Sequence, residues 1–445
     1  MKLTKEETKK LADKIFSYSK ADSVSVNISG GLKENIRFAV NNVTTCGSAD
    51  SISIGISSNF GKKTGYINLT SINDADIKKA VEQSEEIARL SPENKEFMPL
   101  PEKDQNYPEV NQYFDSTAKA TPSDRANTVS YVLSKSRERD LISAGYFETE
   151  DRFTSVANSN GLFAYHPFTE LDFSFTSRTK DGTGSSKVHR NFADLNRLKI
   201  EELTKTCMDR AVLSQKPVEL KPGKYTTILE KMATCDMVGN LFSYMNKRSA
   251  DEGRSFFSDK DKGNKIGEKI VSEKVNIHSD PQNPIAPTTP FNGEGLPNLK
   301  TVWFENGVLK NLYTNRYWAE KTNSPFTPYP PNIIMSGSDK SLEDLIKSTD
   351  KGVFVVRLWY IRSVDPQKIL LTGLSRDGIF YIENGEIKYP VKNFRFNESP
   401  ANVLKNLTDM SREEKVIGAE TESMKIIVPD IKVEEFNFST LSDAI

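Results

Sequence analysis

The chain has 445 residues, longer than one hydrophobic core usually grows, so about two or three domains are expected. Its 60 Lys and Arg against 61 Asp and Glu leave a formal net charge of -1, which supplies no global field to draw in nucleic acid or anionic lipid. With 36% apolar and 27% charged residues and no run of about 18 apolar residues, nothing spans a membrane and a soluble protein is expected.

The amino-terminal stretch "MKLTKEETKKLADKIF" lacks an apolar signal-peptide region and reads as a helix, with Thr4 and Glu7 spaced as a capping box. Alternating stretches then predict strands in "DSVSVNISG", "NIRFAVNN" and "SISIGISSN". The pattern changes to a helix in "DADIKKAVEQSEEIARL", stopped at Ser91-Pro92. Residues 93–122 have little periodicity and read as a linker or a surface-wrapped arm. A central block over 123–220 follows, opened by the helical "SDRANTVSYVLSKSRER", continued by strands and closed by the helical "NRLKIEELTKTCMDRAVLSQ".

Lys221-Pro222-Gly223 marks the next boundary, so the expected organisation is 1–92, 93–122, 123–220 and 221–445. Residues 229–249, "LEKMATCDMVGNLFSYMNKRS", follow a strand-like "KYTTILE" and predict one amphipathic helix, with Met232, Cys235, Val238, Leu241, Phe242 and Met245 on one stripe. From 266 onward strands dominate. "WFENGVLKN" and "YIENGEIKY" each place Asn-Gly between alternating apolar residues, the strongest short-range hairpin signal. The fold class is therefore α+β: an α/β amino-terminal region followed by a strand-rich, mainly antiparallel carboxy-terminal domain.

Residues that carry chemistry are sparse. His166, His189 and His278 have no helical partner at metal-ligand spacing, and each reads as a loop or strand-end residue. Cys46, Cys207 and Cys235 are odd in number, far apart and form no C-x-x-C pair, which fits a reducing cytoplasm. Cys235 lies on the apolar stripe and reads as a buried, inert thiol. "GISSNFGKKTG" misses the phosphate-loop pattern, because five residues separate its first two glycines and Lys63 stands where Ser or Thr is required; it reads as a hairpin tip. Glu294 and Asp377 sit beside glycines in loop-like stretches, where functional groups concentrate, although plain turns explain them better.

The carboxy-terminal half resembles a known family. "PFNGEGLPNLKTVWFENGVLKNLYTNRYWAEK", followed by "LLTGLSRDGIFYIENGEIKYPVKNFRFNES", is similar in motif order to the TldD/PmbA (TldE) family. That resemblance implies a two-part fold assembled as a dimer. It also implies that TldD-type subunits carry zinc on a helical H-E-x-x-x-H and a later cysteine, while PmbA/TldE-type subunits lack the ligands. Here the corresponding helix places Val238 and Ser243 where the imidazoles would stand and Gly239 where the glutamate would stand. No histidine occurs from 190 to 277 and no cysteine follows Cys235, so the third ligand, expected near "VIGAE" at 416–420, is missing too.

The resemblance thus implies a PmbA/TldE-like subunit with no catalytic residue, no metal and no cofactor of its own, zinc being held by a TldD-like partner. It would help bind extended or unfolded peptides for proteolysis, in the cytoplasm and without nucleic acid. Glu294, Tyr313, Asn315, Arg316, Arg376 and Asp377 are the candidate peptide contacts. Two alternatives stand beside it. One is a self-sufficient homodimer that holds peptides without cleavage; the other is an active peptidase whose site is relocated through convergence of His166, His189, Cys207 or Cys235.

Overall fold

A computed structural model describes residues 1–421 and 424–442. The first helix, α1 (Lys5–Tyr18), begins at the expected capping box: Thr4 accepts from the Glu7 amide, and the Glu7 carboxylate accepts from the Thr4 amide. Three strands follow, β1 (Ser23–Ala39), β2 (Asn42–Phe60) and β3 (Lys63–Leu69), then α2 (Asp74–Leu90). The β1–β2 turn is a two-residue loop with Val40 and Asn41 at φ 49° and 57°, the geometry that lets the strands keep their twist. The expected hairpin tip in "GISSNFGKKTG" is the β2–β3 turn, where Phe60 faces Lys63.

Beyond the arm come α3 (Asp115–Ala118), α4 (Pro122–Glu138), β4 (Leu141–Asn158), β5 (Phe163–Thr179), β6 (Ser185–Phe192) and α5 (Ile200–Leu213). β4 runs unbroken for 18 residues. More consequentially, β1 pairs antiparallel with β4 from Ser25–Asn158 to Phe38–Gly145, so the blocks expected over 1–92 and 123–220 share a single antiparallel sheet in the order β3-β2-β1-β4-β5-β6. Helices α1, α2, α4 and α5 cover one face, burying Val26, Ile54, Phe147, Phe153 and Phe173. The segment 91–114 carries no helix or strand and is stitched to both halves of the chain. Asn158 donates to Pro101 O (2.8 Å) and Gln112 meets His166 (3.0 Å), while Tyr107 donates to Gly295 O (2.6 Å) and Arg316 to Pro99 O (2.8 Å).

The carboxy-terminal half opens with β7 (Gly223–Leu229), which leads directly into α6 (Lys231–Ser243). β7 pairs on one side with Lys351–Asp365 and on the other with Ile431–Leu441; through Phe394–Glu398 and Leu370–Glu383 the pairing returns to Lys351–Asp365, closing a five-stranded ring. A second sheet runs from Val308–Leu309 to Glu414–Val416. Both Asn-Gly hairpins form, with Asn306 and Gly307 at φ 49° and 75° and Asn384 and Gly385 at 54° and 74°. "SRDG" is not a turn. Asp377 (φ 58°) and Gly378 (φ 128°) lie within Leu370–Glu383, as a bulge where the register against Lys351–Asp365 shifts.

Candidate functional site

The helix that the sequence singles out is shorter and more enclosed than its apolar stripe suggests. α6 ends at Ser243, and a separate turn of helix spans Lys247–Asp251. The break falls where the Met245 carbonyl accepts from Tyr313 N and Lys247 N donates to Tyr313 O, while the Asn246 side chain caps the second helix. Ten of its residues, including Met232, Asp236, Val238 and Gly239, are buried, so the helix is covered all round rather than on one side. It packs against Lys351–Asp365, Ile426–Val428, Glu414–Val416 and the helix Pro400–Lys405, and Phe242 meets Trp303 edge-on at 5.6 Å.

Its amino-terminal end is fixed by charge. Glu230 caps the helix by accepting from Met232 N (2.8 Å) and pairs with Arg210 (3.2 Å); Lys231 pairs with Asp430 (2.9 Å). Because Glu230 and Asp430 are almost fully buried, the cost of taking their charges out of water offsets much of what these pairs contribute to stability.

The middle of α6 is closed by residues 416–421. Val238 is fully buried and offers no donor. A Cβ on Gly239 would stand 2.4 Å from Thr421 Cγ2 and 3.3 Å from Met424 Sδ, so there is no room for a carboxylate-bearing side chain. Ser243 is exposed, and its hydroxyl donates to Gly239 O at 3.3 Å. These residues do not fit a zinc ion. Among the described residues no group of three or more His, Cys, Asp and Glu side chains could hold a metal.

Asp236, a residue that no sequence motif marks, occupies this region. Its carboxylate accepts from the amides of Ala419 (3.0 Å) and Glu420 (2.9 Å). A Cβ on Gly418 would stand 2.1 Å from Asp236 Oδ1. Burial pushes the Asp236 carboxyl up to about 7, against the pull of those two amides. The signal was present in the sequence as the single acid inside the otherwise uncharged "MATCDMVGNLF". Cys235 lies beside it, 3.3 Å from Thr421 Oγ1, and burial pushes its thiol up to about 12, an inert state.

The candidate peptide contacts separate into two groups. Tyr313 donates to Ser243 O (3.3 Å) and meets the Tyr329 ring edge-on at 5.0 Å, which places it at the carboxy-terminal end of α6. Asn315 caps the short helix Arg316–Lys321, and Arg316 pairs with Glu294 at 3.1 Å. Arg376 and Asp377 lie elsewhere. Asp377 is buried, paired with Arg357 (3.0 Å), and accepts from Ser185 Oγ (2.6 Å). It lines a cavity of about 540 Å³ together with Asp181, Lys216 and Val391. The Arg376 guanidinium stacks over Trp359 at 4.2 Å.

The histidines and buried cysteines do not converge. His166 shares a hydrogen bond with Gln112 and is lowered to about 4 by burial and then by Lys425. His189 is held by Asp172 at 2.9 Å, and His278 lies half-buried on the strand Ile277–Ser279. Cys207 donates to Ser186 O at 3.2 Å in the core beneath α4 and α5, on the opposite face of the sheet from His189. Near His189, a second charged cluster joins the two halves of the chain: Lys415 donates to Asn191 (2.9 Å) and Lys425 pairs with Glu170 (3.0 Å).

A two-part α+β fold, with an amino-terminal antiparallel sheet and a strand-rich second half built around a buried helix, defines a class, and sequence comparison agrees with it. The chain belongs to the PmbA/TldA metallopeptidase family: the profile of that family's C-terminal domain matches residues 222–440 and that of its domain 1 matches residues 24–88. It is similar to a metalloprotease of Methanothermobacter thermautotrophicus, 26% identical over 272 residues, covering 57% of this chain and 59% of the relative. The metalloprotease PmbA of Escherichia coli O157:H7 is 23% identical over 304 residues, covering 65% of this chain and 59% of that protein. The matches therefore span 59% of the length of each of these relatives. In three dimensions the chain resembles the crystal structure of TldE from Thermococcus kodakarensis, with a TM-score of 0.85 at 20% identity, over 97% of this chain and 99% of that one. At this identity the likeness speaks to the fold. No helix among the described residues is long and apolar enough to cross a membrane.

Proposed function

We propose that this chain is a PmbA/TldE-like subunit without catalysis of its own. It pairs with a zinc-bearing TldD-like chain and helps hold extended or unfolded peptides for cleavage there. The observation that carries the reading is the closure of α6: Val238 has no donor, and Gly239 lies against Thr421 with no space for a side chain. A catalytic zinc needs about three protein donors and an open position for water. Peptide capture needs neither, since backbone groups and a few placed polar side chains suffice. Tyr313, Asn315, Arg316 and Glu294, gathered beside the end of α6, are the side chains assigned to that contact; Arg376 and Asp377 belong to a separate region.

The test is reconstitution. The isolated chain is expected to hold no stoichiometric zinc and to cleave no unfolded peptide, whereas a mixture with a TldD-like chain forms a stable complex with metal-dependent peptidase activity. Peptidase activity in the isolated chain, retained by the purified protein and abolished by chelation, would overturn the proposal.

A further inference from the structure

The strand Leu370–Glu383 changes neighbours partway along one edge. Phe394–Glu398 pairs with it at Leu371 to Leu374, and Glu386–Pro390 pairs with it at Phe380 to Glu383. Residues 375–379 therefore have no strand on that edge among the described residues. The bulge at Asp377 falls in this gap, and the cavity of about 540 Å³ opens there. The amino-terminal half closes it from across, through Asp181 and Thr183 of the β5–β6 turn and through Lys216 and Pro217 after α5. The buried side chains of Ile379 and Val391 add apolar wall. Small-molecule sites typically occupy about 300–1,000 Å³ and favour such joints between parts of a chain. Two wall residues other than glycine hold left-handed backbone, Lys216 at φ 51° and Asp377 at φ 58°, a strain that collects at ligand sites.

The charges of the wall narrow the ligand. Asp377 is neutralised by Arg357 at 3.0 Å, and Lys392 pairs with Glu219 at 2.8 Å. Asp181 and Lys216, both exposed at the rim, have no ionic partner among the described residues. The Asp181 carboxylate accepts instead from the hydroxyls of Thr179 (2.6 Å) and Thr183 (2.9 Å). Thr183 Oγ1 also accepts from Lys216 N at 3.1 Å, which keeps the two rim residues side by side. A ligand with one charge would meet a wall group of its own sign, whereas a zwitterion matches both. We propose that this cavity binds a small zwitterion with an apolar body, an apolar amino acid or short peptide, with its ammonium at Asp181, its carboxylate at Lys216 and its side chains over Pro217, Ile379 and Val391. The cavity lies apart from α6 and needs no zinc-bearing partner, so its failure would leave the reconstitution test untouched.

Calorimetric titration of the isolated full-length chain tests this with leucyl-leucine as the probe. Saturable binding in the millimolar range or tighter is expected, and it should be lost when either end is masked, in N-acetyl-leucyl-leucine or leucyl-leucinamide, or when the apolar body is removed, in diglycine. Free leucine separates the two sources: tighter binding of leucine supports an amino acid as the ligand, and tighter binding of leucyl-leucine supports a peptide. Lys216→Gln and Asp181→Asn fall on exposed positions, and the asparagine keeps an acceptor for Thr179 and Thr183, so the thermal melt should be unchanged. Each should weaken leucyl-leucine binding by at least about threefold. No saturable binding of leucine or leucyl-leucine, equal binding of the masked dipeptides, or wild-type affinity in both variants would overturn the inference.

Discussion

Replacing Asp236 with Asn isolates the buried acid at the middle of α6. The carboxyl is fully buried and raised from an ordinary value of 3.8 to about 7, so the folded state binds its proton more tightly than the unfolded state does. A group shifted in that direction contributes stability that is complete below about pH 4 and is lost as the pH rises through about 7. The difference between the two values corresponds to about 4 kcal/mol. The variant carries no charge, so this component of the pH dependence disappears. At pH 4, where the buried carboxyl is protonated and neutral, the variant should be the less stable protein by about 1–3 kcal/mol, because the Asn NH2 cannot accept from a backbone amide whereas both oxygens of the carboxyl face the Ala419 and Glu420 amides. Urea unfolding followed by tryptophan fluorescence suits the question, since Trp303 is buried against Phe242 of α6. Other titrating groups cancel in the difference between the two proteins. The gap between their urea midpoints should therefore narrow or reverse between pH 4 and pH 7.5, and parallel curves across that range would refute the reasoning.

Gly239→Ala forces a methyl group toward Thr421 Cγ2, 2.4 Å away, and is expected to cost about 1–3 kcal/mol in urea unfolding. The triple change Val238→His/Gly239→Glu/Ser243→His should still fail to bind zinc stoichiometrically by elemental analysis, because the third donor is missing and the helix has no space for the glutamate. Arg357→Met leaves the buried Asp377 carboxylate without its partner at 3.0 Å and should destabilise by about 3–5 kcal/mol; adding Asp377→Asn should recover most of that loss in the same assay. Lys415 is fully buried, and burial followed by the Lys425 charge lowers its amine from 10.5 to about 7. Its sign is opposite to that of Asp236: between about pH 7 and 10.5 the unfolded chain holds a proton that the folded chain lacks, so stability rises with pH. Lys415→Met should remove that rise, seen as a flatter midpoint curve above pH 7.

What was legible in the sequence was local. Thr4 with Glu7, and Asn-Gly at 306–307 and 384–385, act within a few residues, and their geometry follows from backbone sterics alone. The pairing of β1 with β4 joins Ser25 to Asn158 across the intervening helix and arm, and period-two alternation does not say which strands are neighbours. The apolar stripe of α6 was visible, but its complete burial was not, because residues 416–421, distant in sequence, close the other side. Asp236 escaped notice for the same reason: an acid within an apolar helix acquires meaning only when its hydrogen-bond donors are known. The Arg357–Asp377 pair was hidden by a bulge that resembles a turn in sequence.

The closed ring of strands has a consequence for how the chain emerges from the ribosome. β7 needs Ile431–Leu441 as a neighbour, yet roughly 190 residues separate α6 from that last strand. At about 5–20 residues per second, elongation leaves the greasy helix waiting for tens of seconds before its enclosure is finished. During that interval the amino-terminal sheet already has all six of its strands, so nascent-chain chaperones would meet a half-built protein whose sticky portion is its second half.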